Sequence, residues 1–140
     1  MDSDSCDMAE MVPTAFWSYA SQRLKAAHPE AILIGEVYNP ALYRAYIASG
    51  FDYLYDKVGM YDCLRGVVCQ QRAASEITAQ WQATDDIRDR MLYFLENHDE
   101  QRIASDFFCG DARKALPAMM VSAWLRTNPV MVYAGQEWGE

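Results

Sequence analysis

The sequence has 140 residues, of which 51% are hydrophobic and 23% are charged, a composition typical of a globular domain that can bury a sizeable core. A formal net charge of −8, with no basic patch interleaved with aromatic residues, makes nucleic acid and anionic membranes unfavourable partners. No apolar run approaches the roughly 18 residues of a membrane span, and the N-terminal residues look like the cut edge of a longer chain rather than a secretory signal.

The four cysteines form no CxxC pair, and only two histidines are available to complete a metal site. We interpret Cys6, Cys63, Cys69 and Cys109 as reduced thiols at small hydrophobic core positions, with a disulfide as the alternative. Reduced thiols favour a reducing compartment such as the cytoplasm.

The first predicted element is a helix. Pro13 suits a first helical turn, apolar residues recur at helical spacing from Phe16 to Ala27, and His28-Pro29 ends the pattern. The apolar run 31–37 follows and predicts a buried parallel strand.

Glu36 interrupts that apolar run near its end. A carboxylate there is costly unless it is paired, protonated or lining a cavity, so we select Glu36 as a candidate functional residue. The alternative is an edge residue that faces solvent.

Further strands and helices alternate along the rest of the chain. The strands are predicted at 51–55, 91–96 and 130–133. The helices are predicted at 41–48, 60–71 and 112–126. Ser75 and Thr84 are candidate helix caps between them, and Pro117 either kinks the last helix or marks its true start.

The run 91–96 ends abruptly at Asn97-His98-Asp99, where two titratable side chains and an amide appear at the point where a buried strand would surface. In barrels and open α/β sheets, functional groups sit at such carboxyl ends. The alternative is that the tripeptide only turns the chain, because Asn and Asp are common turn residues.

This alternation predicts a single domain over residues 1–140, with parallel strands joined by right-handed crossovers. The strand ends would then place several acids and a histidine on one common edge: Glu36, Asp56, His98, Asp99 and Glu137.

Acids at this edge suit two chemistries. Cleavage of a glycosidic bond with retention needs a nucleophilic carboxylate and a protonated acid about 5–5.5 Å apart. Two or more carboxylates with His98 could instead hold a divalent cation in a metal-dependent enzyme.

Four ordered segments resemble the α-amylase family, glycoside hydrolase family 13, over nearly the whole chain. They are Cys6-Asp7-Met8-Ala9-Glu10, Gly35-Glu36-Val37, 94–99 and 128–137. The resemblance implies a retaining hydrolase or transglycosylase that acts on α-linked glucans such as starch, glycogen or maltooligosaccharides.

The resemblance also implies roles for individual residues. Asp7 would be the nucleophile, Glu36 the general acid/base and Asp99 the transition-state stabiliser. His98 and Asn97 would bind the substrate. No cofactor is implied.

Three positions depart from the family pattern. Ser5 stands where the family has an arginine that fixes the nucleophile through two donors, which serine cannot replace. Glu10 and Met11 stand where some members have a lysine and a histidine for sugar and calcium contacts. This segment therefore does not support a calcium site, although the parent protein could have one.

By the same resemblance, the chain corresponds to roughly the second half of a TIM (β/α)8 barrel, with the first strands upstream and the last helix downstream. We expect such a fragment to be inactive alone and to form a homo-dimer through exposed barrel edges. The alternative to an enzyme is a non-catalytic sugar-binding or structural relative of the same fold.

Overall fold

A computed structural model of the chain describes residues 3–140. The chain forms two compact units, the first ending at Tyr55 and the second comprising Asp56–Glu140. No described helix has the length and apolar character needed to cross a membrane.

The first unit alternates strands and helices. In chain order they are β1 (Ser3–Cys6), α1 (Thr14–Ala27), β2 (Ile32–Gly35), α2 (Tyr43–Ala48) and β3 (Tyr53–Tyr55). β1 pairs with β2 and β2 pairs with β3, both in parallel. This is the βα arrangement that the sequence pattern predicts.

β1 is a strand that the sequence analysis did not predict. Three of its four residues, Ser3, Asp4 and Ser5, are polar, and the strand contains no apolar run. It pairs with β2 along its whole length, from Ser3 opposite Ile32 to Cys6 opposite Gly35. The backbone hydrogen bonds to an apolar neighbour, rather than strand propensity, therefore define this element.

Close packing supports the end of β2. A Cβ atom at Gly35 would lie 2.8 Å from Phe51 Cδ1, so the backbone can approach this aromatic ring only because position 35 is glycine. Phe51 also makes an edge-to-face contact with Trp17 of α1, with ring centroids 4.9 Å apart. The residue that follows Gly35 is Glu36, so this packing fixes the backbone that carries it.

The second unit has two strands and three α-helices. They are α3 (Asp62–Val68), α4 (Glu76–Ala83), β4 (Met91–Phe94), α5 (Leu116–Trp124) and β5 (Val130–Met131). β4 is buried at all its positions and pairs in parallel with β5. Pro117 lies in the first turn of α5, where its missing N–H has no partner in any case, so it marks the start of the helix rather than a kink.

The two predicted helix caps, Ser75 and Thr84, do not form the expected side-chain hydrogen bonds. Ser75 and Thr84 precede helical turns as expected, but neither side chain accepts a capping hydrogen bond in the described structure. Asn39 does cap, since its Oδ1 accepts from the N–H of Ala41 at 3.0 Å. All four cysteines lie within the described residues and are thiols. Of the four, Cys63 is the buried one.

Candidate active site

Asp7 and Glu36 are neighbours because they follow adjacent parallel strands. Cys6 and Gly35 are register partners at the ends of β1 and β2, and the N–H of Glu36 donates to the carbonyl of Cys6 at 3.0 Å. The next residue on each strand is therefore one of the two acids. The sequence pattern predicts Glu36 at the end of a strand, whereas Asp7 is a candidate only through the family resemblance.

Glu36 is almost fully enclosed, with 1% of its surface exposed, and both of its oxygens accept hydrogen bonds. Oε2 accepts from the backbone N–H of Met8 at 3.0 Å. Oε1 accepts from the hydroxyl of Tyr38 at 2.6 Å. The alternative of a solvent-facing edge residue is therefore wrong for Glu36.

The surroundings of Glu36 favour its protonated form. Burial is the largest cause that raises its pKa, and a hydrogen bond and the negative charge of Asp7 raise it further. The donors Met8 and Tyr38 act in the opposite direction because they stabilise the carboxylate. The net pKa lies above the ordinary value for glutamate, which suits a group that must deliver a proton.

The backbone at Met8 is strained where it contacts this acid. Met8 has φ 48° and ψ 39°, the left-handed conformation, which costs an ordinary residue about 1–2 kcal/mol. The turn directs its N–H at Glu36 Oε2. Strained backbone of this kind is concentrated at functional sites.

Glu10 has a structural role that the sequence analysis missed. Its Oε2 accepts from the backbone N–H groups of Tyr38, at 3.1 Å, and of Asn39, at 3.0 Å. In the sequence, Glu10 is distinguished only as a departure from the family's sugar and calcium contacts. The contact that explains it spans 28 residues, so no local sequence signal identifies it.

Ser5 offers a neutral hydroxyl near the strand that carries Asp7. Its Oγ lies 3.2 Å from the hydroxyl of Tyr55. A guanidinium would carry a positive charge and two parallel donors at this position, whereas the Ser5–Tyr55 pair carries neither.

In the second unit, Asn97 shapes the turn after β4. Its Oδ1 accepts from the N–H groups of Asp99 at 3.0 Å and of Glu100 at 2.8 Å, and the residue is 3% exposed. The buried Nδ2 has no hydrogen-bond partner among the described residues. Asn97 is thus a turn residue, and substrate binding by its amide stays a prediction.

The turn built by Asn97 exposes the two residues between its ends. The side chains of His98 and Asp99 are each 50% exposed, and His98 Nε2 lies 3.6 Å from Asp99 Oδ2. The structure therefore places these two predicted site residues together, with their polar atoms accessible to a ligand.

Two contacts that sequence reasoning missed hold this loop. The hydroxyl of Tyr61 donates to Glu100 Oε2 at 2.8 Å, and Lys57 Nζ lies 3.0 Å from Glu100 Oε1. Further along, Arg102 Nη1 lies 2.8 Å from Glu96 Oε2 and also donates to the carbonyl of Ala134. In the sequence, the charged residues in the run 96–102 are the feature that could have indicated these contacts.

Asp56 and Glu137, the other two acids predicted at strand ends, differ in exposure. Asp56 is 1% exposed and accepts from the N–H of Met60 at 3.0 Å, which caps a π-helical turn. Burial raises the pKa of Asp56 to about 6. Glu137 is exposed in the turn Gln136–Trp138. Asp56 is therefore a buried capping residue.

The chain is similar to known enzymes along its full length. Neopullulanase 2 of Thermoactinomyces vulgaris is 25% identical over 99% of this chain and 24% of its own length. A maltogenic α-amylase of Thermotoga neapolitana is 28% identical, with a TM-score of 0.74 over 99% of this chain and 31% of that one. An α-amylase of Geobacillus thermoleovorans, solved with acarbose, has a TM-score of 0.84 at 21% identity over 100% of this chain and 33% of that one.

The resemblance to the α-amylase family is confirmed. The same comparisons confirm the predicted fold class, parallel βα repeats of the kind that form roughly the second half of a TIM (β/α)8 barrel. No protein-family model matches the chain. The chain spans about a quarter to a third of the length of these α-amylase-family relatives, whose shares run from 24% to 33%.

Proposed function

We propose that the full-length protein containing this chain is a retaining glycoside hydrolase or transglycosylase that acts on α-linked glucans. The observation that carries the proposal is the pairing of Asp7 with a buried Glu36 whose pKa is raised. The similar enzymes include a neopullulanase, a maltogenic α-amylase and an amylase bound to acarbose, which supports a glucan substrate.

In this proposal the reaction has two steps. Glu36 donates its proton to the glycosidic oxygen while Asp7 attacks the anomeric carbon, which releases the leaving sugar and forms a glycosyl ester on Asp7. Glu36, now ionised, takes a proton from water or from a sugar hydroxyl, which attacks the same carbon and frees Asp7. Water as acceptor gives hydrolysis, and a sugar gives transglycosylation.

The coupling between the two acids suits this cycle. The negative charge of Asp7 is one of the causes that raise the pKa of Glu36, which favours the protonated acid before the first step. Once Asp7 is esterified, that charge is gone. The pKa of Glu36 then falls and the residue can act as a base in the second step.

The remaining roles in the proposal follow the family resemblance residue by residue. Asp99 would stabilise the positive charge that develops on the sugar ring, and His98 and Asn97 would bind sugar hydroxyls. The exposure of His98 and Asp99 supports these roles. We propose that no cofactor is needed, and that the isolated chain is inactive and dimerises.

Substitution of Glu36 tests the proposal in the full-length protein. Glu36→Gln keeps the shape of the side chain but cannot donate the proton, so we expect turnover of maltoheptaose to fall by about 10²–10⁴-fold. Formation of the glycosyl ester from α-maltosyl fluoride should be far less affected, because fluoride leaves without a proton. Glu30→Gln, at an exposed glutamate of the same unit, is the control.

Equal turnover of maltoheptaose by Glu36→Gln and the unmodified protein would reject Glu36 as the acid. Ser5 is the observation that favours the alternative of a non-catalytic sugar-binding relative, since it leaves Asp7 without the family arginine. Calorimetry separates the two functions, because heat of maltoheptaose binding without any product over days would support the alternative.

A further inference from the structure

We propose that Tyr38, fixed in place by Glu10, is a positioning residue that orients the Glu36 carboxyl group and keeps it able to ionise in the second step of the reaction. The inference rests on the proposed function. It assigns to Tyr38 and Glu10 a role in the proton transfers.

The contact between Tyr38 and Glu36 is direct. The Tyr38 hydroxyl donates to Glu36 Oε1 at 2.6 Å, and the two residues are separated by one position in the chain. Side chains at this spacing lie on the same side of an extended backbone. With Met8 donating to Oε2 at 3.0 Å, the carboxyl group is held at both oxygens and cannot rotate without losing a hydrogen bond.

Glu10 holds the backbone of Tyr38. Its Oε2 accepts from the N–H of Tyr38 and from the N–H of Asn39, at 3.1 and 3.0 Å. Hydrogen bonds to an ionised acceptor are roughly twice as strong as neutral ones. The loop after β2 is therefore tied to the turn after β1, and the phenol is placed over Glu36 rather than left to sample other positions.

The two donors offset the groups that favour protonation. Burial and Asp7 raise the pKa of Glu36, whereas the hydrogen bonds from Met8 and Tyr38 lower it. An acid that must lose its proton in one step and regain it in the next works best with a pKa near the operating pH. Tyr38 therefore limits how far burial can raise that pKa.

The first experiment compares Tyr38→Phe with Tyr46→Phe in the full-length protein. Tyr38→Phe removes only the hydroxyl donor, so the alkaline limb of the pH profile of kcat/KM should move to higher pH by about one unit. Because Glu36 must be ionised to act as the base of the second step, the acidic limb of the pH profile of kcat on α-maltosyl fluoride should also move to higher pH by about one unit, with a loss of about 10-fold confined to pH values below the pKa of Glu36.

Tyr46→Phe is the matched control. Its hydroxyl donates to the carbonyl groups of Glu10 and Val12 at 3.0 and 2.9 Å and to no carboxyl group. Loss of that hydroxyl should lower thermal stability and leave the position of the alkaline limb unchanged. An alkaline limb that moves equally in both variants, or in neither, overturns the inference.

A second pair of variants tests the contribution of Glu10 independently. Glu10→Ala removes the acceptor for two N–H groups and should shift the alkaline limb in the same direction as Tyr38→Phe. Glu10→Gln retains a side-chain oxygen and should restore most of the original profile. In the Tyr38→Phe/Glu10→Ala double variant the shift should equal that of Tyr38→Phe alone, because both changes remove the same contact.

The outcomes for the inference and for the proposed function are distinct. If Glu36→Gln is inactive on maltoheptaose and neither Tyr38→Phe nor Glu10→Ala shifts the profile, the proposed function stands and the inference fails. If Glu36→Gln is fully active, the proposed function itself fails. Circular dichroism identifies a variant that does not fold, and the Glu10 pair then decides the outcome.

Discussion

The hydroxyl of Tyr61 donates a 2.8 Å hydrogen bond to Glu100 Oε2, and this contact ties the loop after β4 to the π-helical turn Lys57–Tyr61. Tyr61 is itself fixed by stacking on Phe94 of β4, with ring centroids 5.0 Å apart. Glu100 also closes the Asn97 turn through its N–H. The turn that exposes His98 and Asp99 is therefore fixed through Glu100 by the buried side chain of Tyr61.

Tyr61→Phe should loosen this loop without removing a proposed site residue. We expect stability to fall by about 1–3 kcal/mol, because Glu100 loses a donor in a partly buried position. Small displacements of a positioned group can cost up to about 10²-fold in rate, so kcat on maltoheptaose should fall more than KM changes. Urea denaturation and steady-state kinetics measure both effects, and an unchanged kcat in a destabilised variant would contradict the positioning role.

Arg102 should be essential for stability because Glu96 has no exposed surface. Arg102 Nη1 lies 2.8 Å from Glu96 Oε2, so Arg102→Met leaves a buried carboxylate without its cation. Because the Arg102 side chain is 32% exposed, only the glutamate of this pair is buried, and we expect a measurable fall in the free energy of unfolding. The double variant Glu96→Gln/Arg102→Met should recover part of this loss, and chemical denaturation that shows no recovery would argue against the pair.

Asp56 should make the protein less stable as the pH rises from about 4 to about 6. Its pKa in the folded protein is about 6, against an ordinary value of 3.8, so the folded state binds the proton more tightly over this range. Stability from this group is therefore complete below pH 4 and is lost above pH 6, by about 3 kcal/mol.

Asp56→Asn tests this pH dependence because it imitates the protonated form. Its Oδ1 can still accept from the N–H of Met60, as Asp56 Oδ1 does at 3.0 Å. Relative to the unmodified protein, the variant should gain stability as the pH is raised from 4 to 7. Melting temperatures recorded across this range provide the measurement, and parallel curves for the two proteins would refute the assignment.

Gly35→Ala should destabilise the first unit by about 1–3 kcal/mol through overpacking, since the added Cβ would lie 2.8 Å from Phe51 Cδ1. Phe51→Leu introduced together with Gly35→Ala should relieve part of the clash. Thermal unfolding of the single and double variants checks this, and a Gly35→Ala variant of normal stability would show that the ring moves freely.

Local sequence patterns were sufficient for most of the fold. The apolar runs at 31–37 and 91–96 predicted β2 and β4. β4 is buried at every position, as a strand covered on both faces requires, whereas β2 alternates between half-buried and buried positions. Helical spacing predicted α1 up to Ala27, although Ser21 is the buried residue of this helix and Phe16 and Tyr19 of the predicted apolar face are exposed. Glu36 was recognisable because a carboxylate at the end of an apolar run is costly.

Only the tertiary structure decided which polar residues meet. β1 is mostly polar and becomes a strand through its pairing with β2, which no local propensity encodes. Glu10 reaches Tyr38 across 28 residues, and Tyr61 reaches Glu100 across 39. Such contacts depend on strand register and on how the helices pack, so the sequence by itself identified the proposed acid, whereas the folded chain decided which donors hold it.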